Sequence, residues 1–357
     1  MKRSKELKMI WTEWDNLKEV IVGDVYDPNY FSNYASSQIE NSDNEFIDGM
    51  CKIFEETKED LNSLQKILES YGVKVFRPKK LKINKEQTRM WSSQFPYPAI
   101  CPRDMHIVYG NNIISTIGGD ANRYNEADFF SQIMLEKYKE GRNYISMPRP
   151  LLDDVYQRYE QTENQILFHS ANVLKCGDTL LHTMPYGDGR HGAGTYAGLN
   201  WLKRNIGENV KWIEIPRSGH ADGRLALIKP GLILMKDKNM IPEELKNWDT
   251  VDIDLKPVPK YFNNIQSQNF YKNRVKAWLK HWIGCAEETL FDLNVLSINQ
   301  NTFITCGYDK TMIDKFKKHN VDVIPFNFRH RYFFDAGLHC VTLDLTRDGK
   351  KESYING

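Results

Sequence analysis

The chain has 357 residues, enough for one large domain or two smaller ones, with 41% hydrophobic and 27% charged residues and a net charge of +1. Near-neutrality leaves no electrostatic footprint for nucleic acid or an anionic membrane, and no apolar run approaches the roughly 20 residues needed to span a bilayer. The basic start MKRSKELKMIW lacks an apolar h-region, so no secretory signal is read there.

LKEVIVGDV (17–25) reads as a first strand. FIDGMCKIFEETKEDLNSLQKILESYG (46–72) has a helical apolar period and stops at Gly72, and the strand VKVFRP (73–78) follows. HIVYGNNIIST (106–116) reads as a hairpin turning at Gly110-Asn111, followed by a helix over 128–141. VLKCGDTLLHT (173–183) is a second hairpin, turning at Gly177-Asp178, with a helix over 197–207 and the strand VKWIEIP (210–216). LALIKPGLILM (225–235) turns at Pro230-Gly231 and precedes a helix over 241–248. VLSINQNTFIT (295–305) turns around Asn299–Asn301, then come a helix over 308–320 and the strand VDVIPF (321–326). HCVTLDLT (339–346) closes the series.

The recurring unit is a β-hairpin, a helix and a strand. Such repeats bury one another's faces when packed in a closed ring. No linker rich in Gly, Ser or Pro divides the chain, so residues 1–357 are read as one α/β domain. In a ring, the hairpin ends converge on the axis, and a site would draw one residue from each unit. The six cysteines, at 51, 101, 176, 285, 306 and 340, show no C-x-x-C pair and no zinc spacing. Free thiols and a cytoplasmic location are therefore expected, with no metal and no cofactor.

Four stretches carry reactive side chains. FFDAGLHCVTLDLTRDG (333–349) places His339-Cys340 at the mouth of the last strand, behind Ala336-Gly337. EIPRSGHADGRLALI (214–228) sets His220 and Asp222 two apart, which in an extended segment puts imidazole and carboxylate on one face. AICPRDMHIVYGN (99–111) holds Arg103-Asp104 before a strand. ILFHSANVLKCGDTLLHT (166–183) offers His169, Asn172 and Asp178, the last best explained by the hairpin turn.

In this order, these segments resemble the amidinotransferases, and L-arginine:glycine amidinotransferase matches best. The resemblance runs from EWDNLKEVIVGDV (13–25) to GLHCVTLDLTRDGKKESY (337–354) and includes GTYAGLNWLKRNIG (194–207). It implies a fivefold pseudosymmetric α/β propeller of ββαβ modules, in agreement with the repeat. It further implies Cys340 as nucleophile, His220 as base, Asp104 and Asp222 as acids that grip a guanidinium, and Arg103 beside them. L-Arginine would donate an amidino group to an amine through an amidino-cysteine, with ping-pong kinetics. It also allows a homodimer.

The sequence departs from the family at three places. Asn172 aligns with the acid that orients the catalytic histidine, and it can hold a tautomer but supplies no charge. LMKDKNMI (234–241) offers Lys236 or Lys238 where glycine-using members have an arginine, and Glu287-Glu288 stand in place of carboxylate-binding serines. A carboxylate such as Glu288 attracts an amine, so the expected acceptor is not glycine but a diamine or a specialised-metabolite amine. Arg217 is a candidate for the arginine carboxylate. Two other readings stand beside this one: hydrolysis of arginine or another guanidine on the same scaffold, and a non-catalytic propeller that binds a guanidino compound.

Overall fold

The computed structural model describes residues 9–38, 44–79, 97–118, 123–149, 165–184, 194–254, 256, 289–307 and 309–355. Strand β1 (Asn16–Val22) continues through α1 (Pro28–Gln38) and α2 (Asn44–Ser70) to β2 (Lys74–Phe76), which pairs parallel to it. Helix α2 forms because Phe46, Met50, Ile53, Phe54, Thr57, Leu61, Leu64 and Leu68 recur at three- and four-residue steps and are buried together. The next unit starts with α3 (Pro102–Met105) and contains the hairpin β3 (His106–Tyr109)–β4 (Asn112–Ser115), helix α4 (Ser131–Lys139) and β5 (Asn143–Ser146). The third is β6 (Val173–Cys176), β7 (Thr179–Met184), α5 (Tyr196–Ile206) and β8 (Lys211–Ser218). The Thr195 hydroxyl accepts the Gly198 N–H to start α5, and Gly207, at φ +115°, ends it.

The fourth unit is β9 (Leu225–Lys229), β10 (Leu232–Met235) and β11 (Asp249–Asp252). The helix expected over 241–248 is not formed. Pro242 biases Ile241 to extended backbone, and only 3₁₀ turns at Lys238–Met240 and Glu243–Leu245 fill the crossover. The fifth is β12 (Leu296–Asn299), β13 (Thr302–Thr305), α6 (Lys310–Lys317) and β14 (Asp322–Pro325). After α7 (Arg331–Phe334), β15 (Thr342–Asp348) pairs antiparallel with β1, so the first and last strands complete one sheet and close the ring.

Each described sheet therefore has three strands, an antiparallel pair followed by a parallel strand. Parallel pairing requires a crossover, and this is why helices or turns separate the second and third strands. Strands β3, β6, β9, β12 and β15 lie inside and are almost wholly buried, whereas β2, β5, β11 and β14 are largely open to solvent. This is the fivefold α/β propeller. The turn at Gly177, φ +70°, has room for no Cβ, which would fall 2.0 Å from the Glu352 carbonyl.

The inner strands bring charges together as well as apolar groups. Lys175 of β6 meets Glu13 at 2.9 Å and Asp344 of β15 at 3.3 Å. Arg103 pairs with Asp344 and donates through Nε to the carbonyls of His339 (2.8 Å) and Thr342 (3.0 Å). Arg347 donates to Asp344 and to the Ser297 carbonyl, each at 3.0 Å. Burial would raise the Asp344 pKa, but Arg103, Lys175 and Arg347 overrule it and hold the carboxyl well below its usual range. Its stabilising contribution is thus complete above the unfolded carboxyl's pKa of about 4 and fades as pH falls further. Replacing Asp344 by Ala leaves three buried cations undercompensated and should cost about 3–5 kcal/mol at neutral pH. Urea unfolding measures this, and a loss below about 1 kcal/mol would contradict it.

Candidate active site

The five segments that lead into the inner strands each deliver a polar side chain to one end of the ring. Before β15, α7 ends at Asp335 in left-handed backbone (φ +53°), and the chain turns through Gly337 to Cys340. A Cβ on Gly337 would lie 2.4 Å from that of Asn294, so glycine allows this close approach. Leu338 and His339 donate backbone N–H groups to the Asn294 carbonyl (3.0 and 3.2 Å), and Cys340 donates its own to Asn294 Oδ1 (2.9 Å). Asn294 stands between the 3₁₀ turn Leu290–Leu293 and β12.

His220 and Asp222 flank Ala221 in the segment leading into β9. The expectation that they share one strand face fails, because residues Ala221–Gly223 form a 3₁₀ turn that aims the two side chains at different partners. Asp222, 3% exposed, accepts at Oδ2 from His339 Nδ1 (2.8 Å) and lies 3.4 Å from Cys340 Sγ. Its Oδ1 has no hydrogen-bond partner among the described residues. His220 is partly open to solvent, and its Nδ1 lies 4.0 Å from Asp104 Oδ1. That separation exceeds a hydrogen bond, so Nδ1 is not committed to the acid.

Arg103 and Asp104, neighbours in α3, point apart. All the hydrogen bonds of Arg103 run into the axial network, so its assignment to substrate binding is corrected: it anchors the backbone on both sides of Cys340. Asp104 faces the site and already receives a guanidinium, since Arg123 Nη1 donates to its Oδ2 at 2.7 Å. Arg123 also holds Glu126 at 2.6 Å and lies over the Tyr97 ring at 4.8 Å. Burial raises the Asp104 pKa, but Arg123, His220 and His169 together lower it. Glu126, buried behind them, is pushed up to about 7.

The partner of His220 differs from expectation. Nε2 of His220 meets Nδ1 of His169 at 2.8 Å, with the rings edge to face. Asn172, two residues into the same 3₁₀ turn as Ser170, is fully buried and is not among the contacts of His220. The described ring contact of His220 is thus with His169, one of the polar candidates that the sequence offered in this segment. Gly118 faces that ring so closely that a Cβ there would overlap it. Lys238 is exposed on its turn and joins no contact of the cluster among the described residues, while Lys236 is half-buried with its ammonium pKa lowered by burial and by Arg224. Glu287 and Glu288, and the side chain of Arg217, lie outside the described residues.

Cys340, His220, Asp104 and Asp222 are thus brought to one site from three units. Sequence reasoning missed Asn294 and Arg123. Cys340 is 4% exposed, and burial, then Asp222 and Asp104, push its thiol pKa well above the usual value.

The ring thus closes around a thiol, two imidazoles and two buried acids. No protein-family model matches the sequence. Inosamine-phosphate amidinotransferase 1 of Streptomyces glaucescens is 27% identical over 98% of this chain and 99% of its own. L-Arginine:L-lysine amidinotransferase of Pseudomonas savastanoi pv. phaseolicola is 26% identical over 97% and 96%. Among solved structures, SxtG, an amidinotransferase from Microseira wollei in the saxitoxin biosynthetic pathway, superposes with a TM-score of 0.71 at 26% identity, covering 98% of this chain and 99% of that one. Over nearly its whole length the chain is thus similar to amidinotransferases, enzymes that transfer the amidino group.

Since the thiol is held protonated in the free protein, alkylation of Cys340 by iodoacetamide, followed by peptide mass mapping, should still accelerate above about pH 9. A plateau below about pH 8 would contradict this electrostatic reading.

Proposed function

We propose that the protein transfers the amidino group of L-arginine to an amine other than glycine, through a covalent amidino-cysteine at Cys340. The observation that carries this reading is the sulfur lying 3.4 Å from a buried carboxylate whose second oxygen is unpartnered. Such a pair repels a thiolate until a cation arrives. A guanidinium bound by Asp222, with Asp104 adjoining, supplies that cation and presents its carbon to the sulfur. At an effective dielectric of about 20, a positive charge about 4 Å from the sulfur favours the thiolate by about 4 kcal/mol.

The thiol proton passes to His220, and the thiolate adds to the guanidinium carbon. His220, whose Nδ1 is open and whose Nε2 is held by His169, gives a proton to the departing amine, and the C–N bond breaks. Ornithine leaves and the amidino group stays on sulfur. An incoming amine loses a proton to His220, attacks the same carbon, and the C–S bond breaks to restore the thiolate. No cofactor takes part in these steps.

The acceptor assignment rests on the sequence departures at Lys236, Lys238, Glu287 and Glu288. The names of two relatives, which specify inosamine phosphate and lysine, support it. Such an acceptor fits a specialised-metabolite pathway, and the described cysteines, all free, fit a cytoplasmic setting. No helix among the described residues is long and apolar enough to cross a membrane.

Incubation with arginine and a panel of amines tests the reading. Ornithine should form only when an amine is supplied, at least tenfold faster with the best diamine or amino sugar than with glycine. Citrulline and ammonia formed without any acceptor would mean hydrolysis instead, and fastest turnover with glycine would overturn the acceptor assignment.

A further inference from the structure

Asn294 comes from the fifth unit, for which the sequence had offered only Glu287 and Glu288, and its side chain touches the sulfur. We propose that Asn294 is a catalytic residue whose side-chain amide donates a hydrogen bond to Cys340 Sγ and holds the thiolate through the reaction. The inference rests on the nucleophile reading above and assigns a group to it.

The orientation of the amide follows from its surroundings. The Cys340 backbone N–H can only donate, so the atom 2.9 Å from it is an acceptor, Oδ1. The other end, Nδ2, then faces two acceptors, the Asp222 carbonyl at 3.3 Å and Sγ at 3.2 Å. An amide nitrogen carries two protons, one for each. Both ends of Asn294 are therefore engaged within the nucleophile's own turn, and it is 3% exposed.

This contact acts on one protonation state more than on the other. In the thiol, the S–H points at Asp222 Oδ2, 3.4 Å away. Once that proton leaves, the carboxylate only repels the sulfur, and Asn294 remains as a side-chain donor on it beside the Gly337 backbone N–H. A hydrogen bond to a charged acceptor is about twice as strong as one to a neutral group. The amide therefore favours the thiolate, and it favours it again when the departing amidino group returns electrons to sulfur. It also fixes the line of attack, since the same side chain grips the backbone of Cys340 and that of Asp222.

Asn294→Asp keeps an acceptor for the Cys340 N–H and replaces the donor by an oxygen. The expected result is an alkylation profile of Cys340 displaced upward by at least one pH unit, with a rate at pH 8 reduced at least tenfold and thermal unfolding near that of the parent. An unshifted profile overturns the proposal, including the case where turnover falls, because that pattern marks a purely structural role. Should the variant not fold, the intact protein gives the same answer. With asparagine labelled by ¹⁵N, one side-chain amide should titrate with the pH dependence of Cys340 alkylation and lose that titration in Cys340→Ala. If no side-chain amide follows the thiol, the proposal is overturned. Cys340→Ser tests the underlying reading separately: turnover of arginine by that variant would refute the nucleophile, whatever the asparagine does.

Discussion

The structure depends on how one buried carboxylate, Asp222, is held. His339 takes its Oδ2, the sulfur of Cys340 lies against the same oxygen, and Oδ1 has no partner among the described residues. His339 reaches Glu13 at 3.1 Å through its other nitrogen. A neutral imidazole has a single N–H, so one further proton must sit on the ring or on an acid for both contacts to be hydrogen bonds. Burial would raise Glu13, yet Lys175 and His339 overrule it and hold it well below the carboxylate range. A continuous line of charge thus runs from the axial ions to Cys340. Those cations, Arg103, Lys175 and Arg347, are committed to Asp344, Glu13 and backbone carbonyls. Arg123 is committed to Asp104 and Glu126. In the proposed reading, the Asp222 oxygen without a partner among the described residues takes a cation from outside, and the same carboxylate raises the thiol until that cation arrives.

The fivefold ring turns this electrostatic arrangement into a geometric one. Residues far apart in sequence meet because each precedes an inner strand: Asp104 before β3, His169 before β6, His220 and Asp222 before β9, Asn294 before β12 and Cys340 before β15. Pairing of β15 with β1 closes the ring and fixes the Cys340 turn against the first unit. Arg103 ties that turn from below through two carbonyls, while its neighbour Asp104 faces the reacting groups. Two consecutive residues of one short helix thereby point to opposite sides, Arg103 to the axial ions and Asp104 to the His220 side.

The hairpins were legible because glycine or asparagine turns interrupt strongly apolar inner strands. The outer strands β5 and β11 were not, because solvent-facing segments such as Asn143–Ser146 carry little apolar pattern. Pro242 hid the absence of the helix over 241–248, since a proline also suits a helix's first turn. Cys340, His220, Asp104 and Asp222 stood out through the family resemblance. It also led to Asn172, where spacing along a turn of three residues could not decide which side chain faces inward; His169 does. Asn294 has no sequence neighbour that signals chemistry. Its only mark is position, the place before an inner strand that every other unit uses.

The central claim is that Cys340 attacks a guanidino carbon and carries the amidino group. Intact-protein mass spectrometry after acid quenching, with arginine present and no acceptor, tests it most directly. The account predicts one added amidino group, mapped to the peptide containing Cys340 and discharged by an amine. Ornithine production upon adding an amine, with no such adduct at any time of quenching, would contradict it.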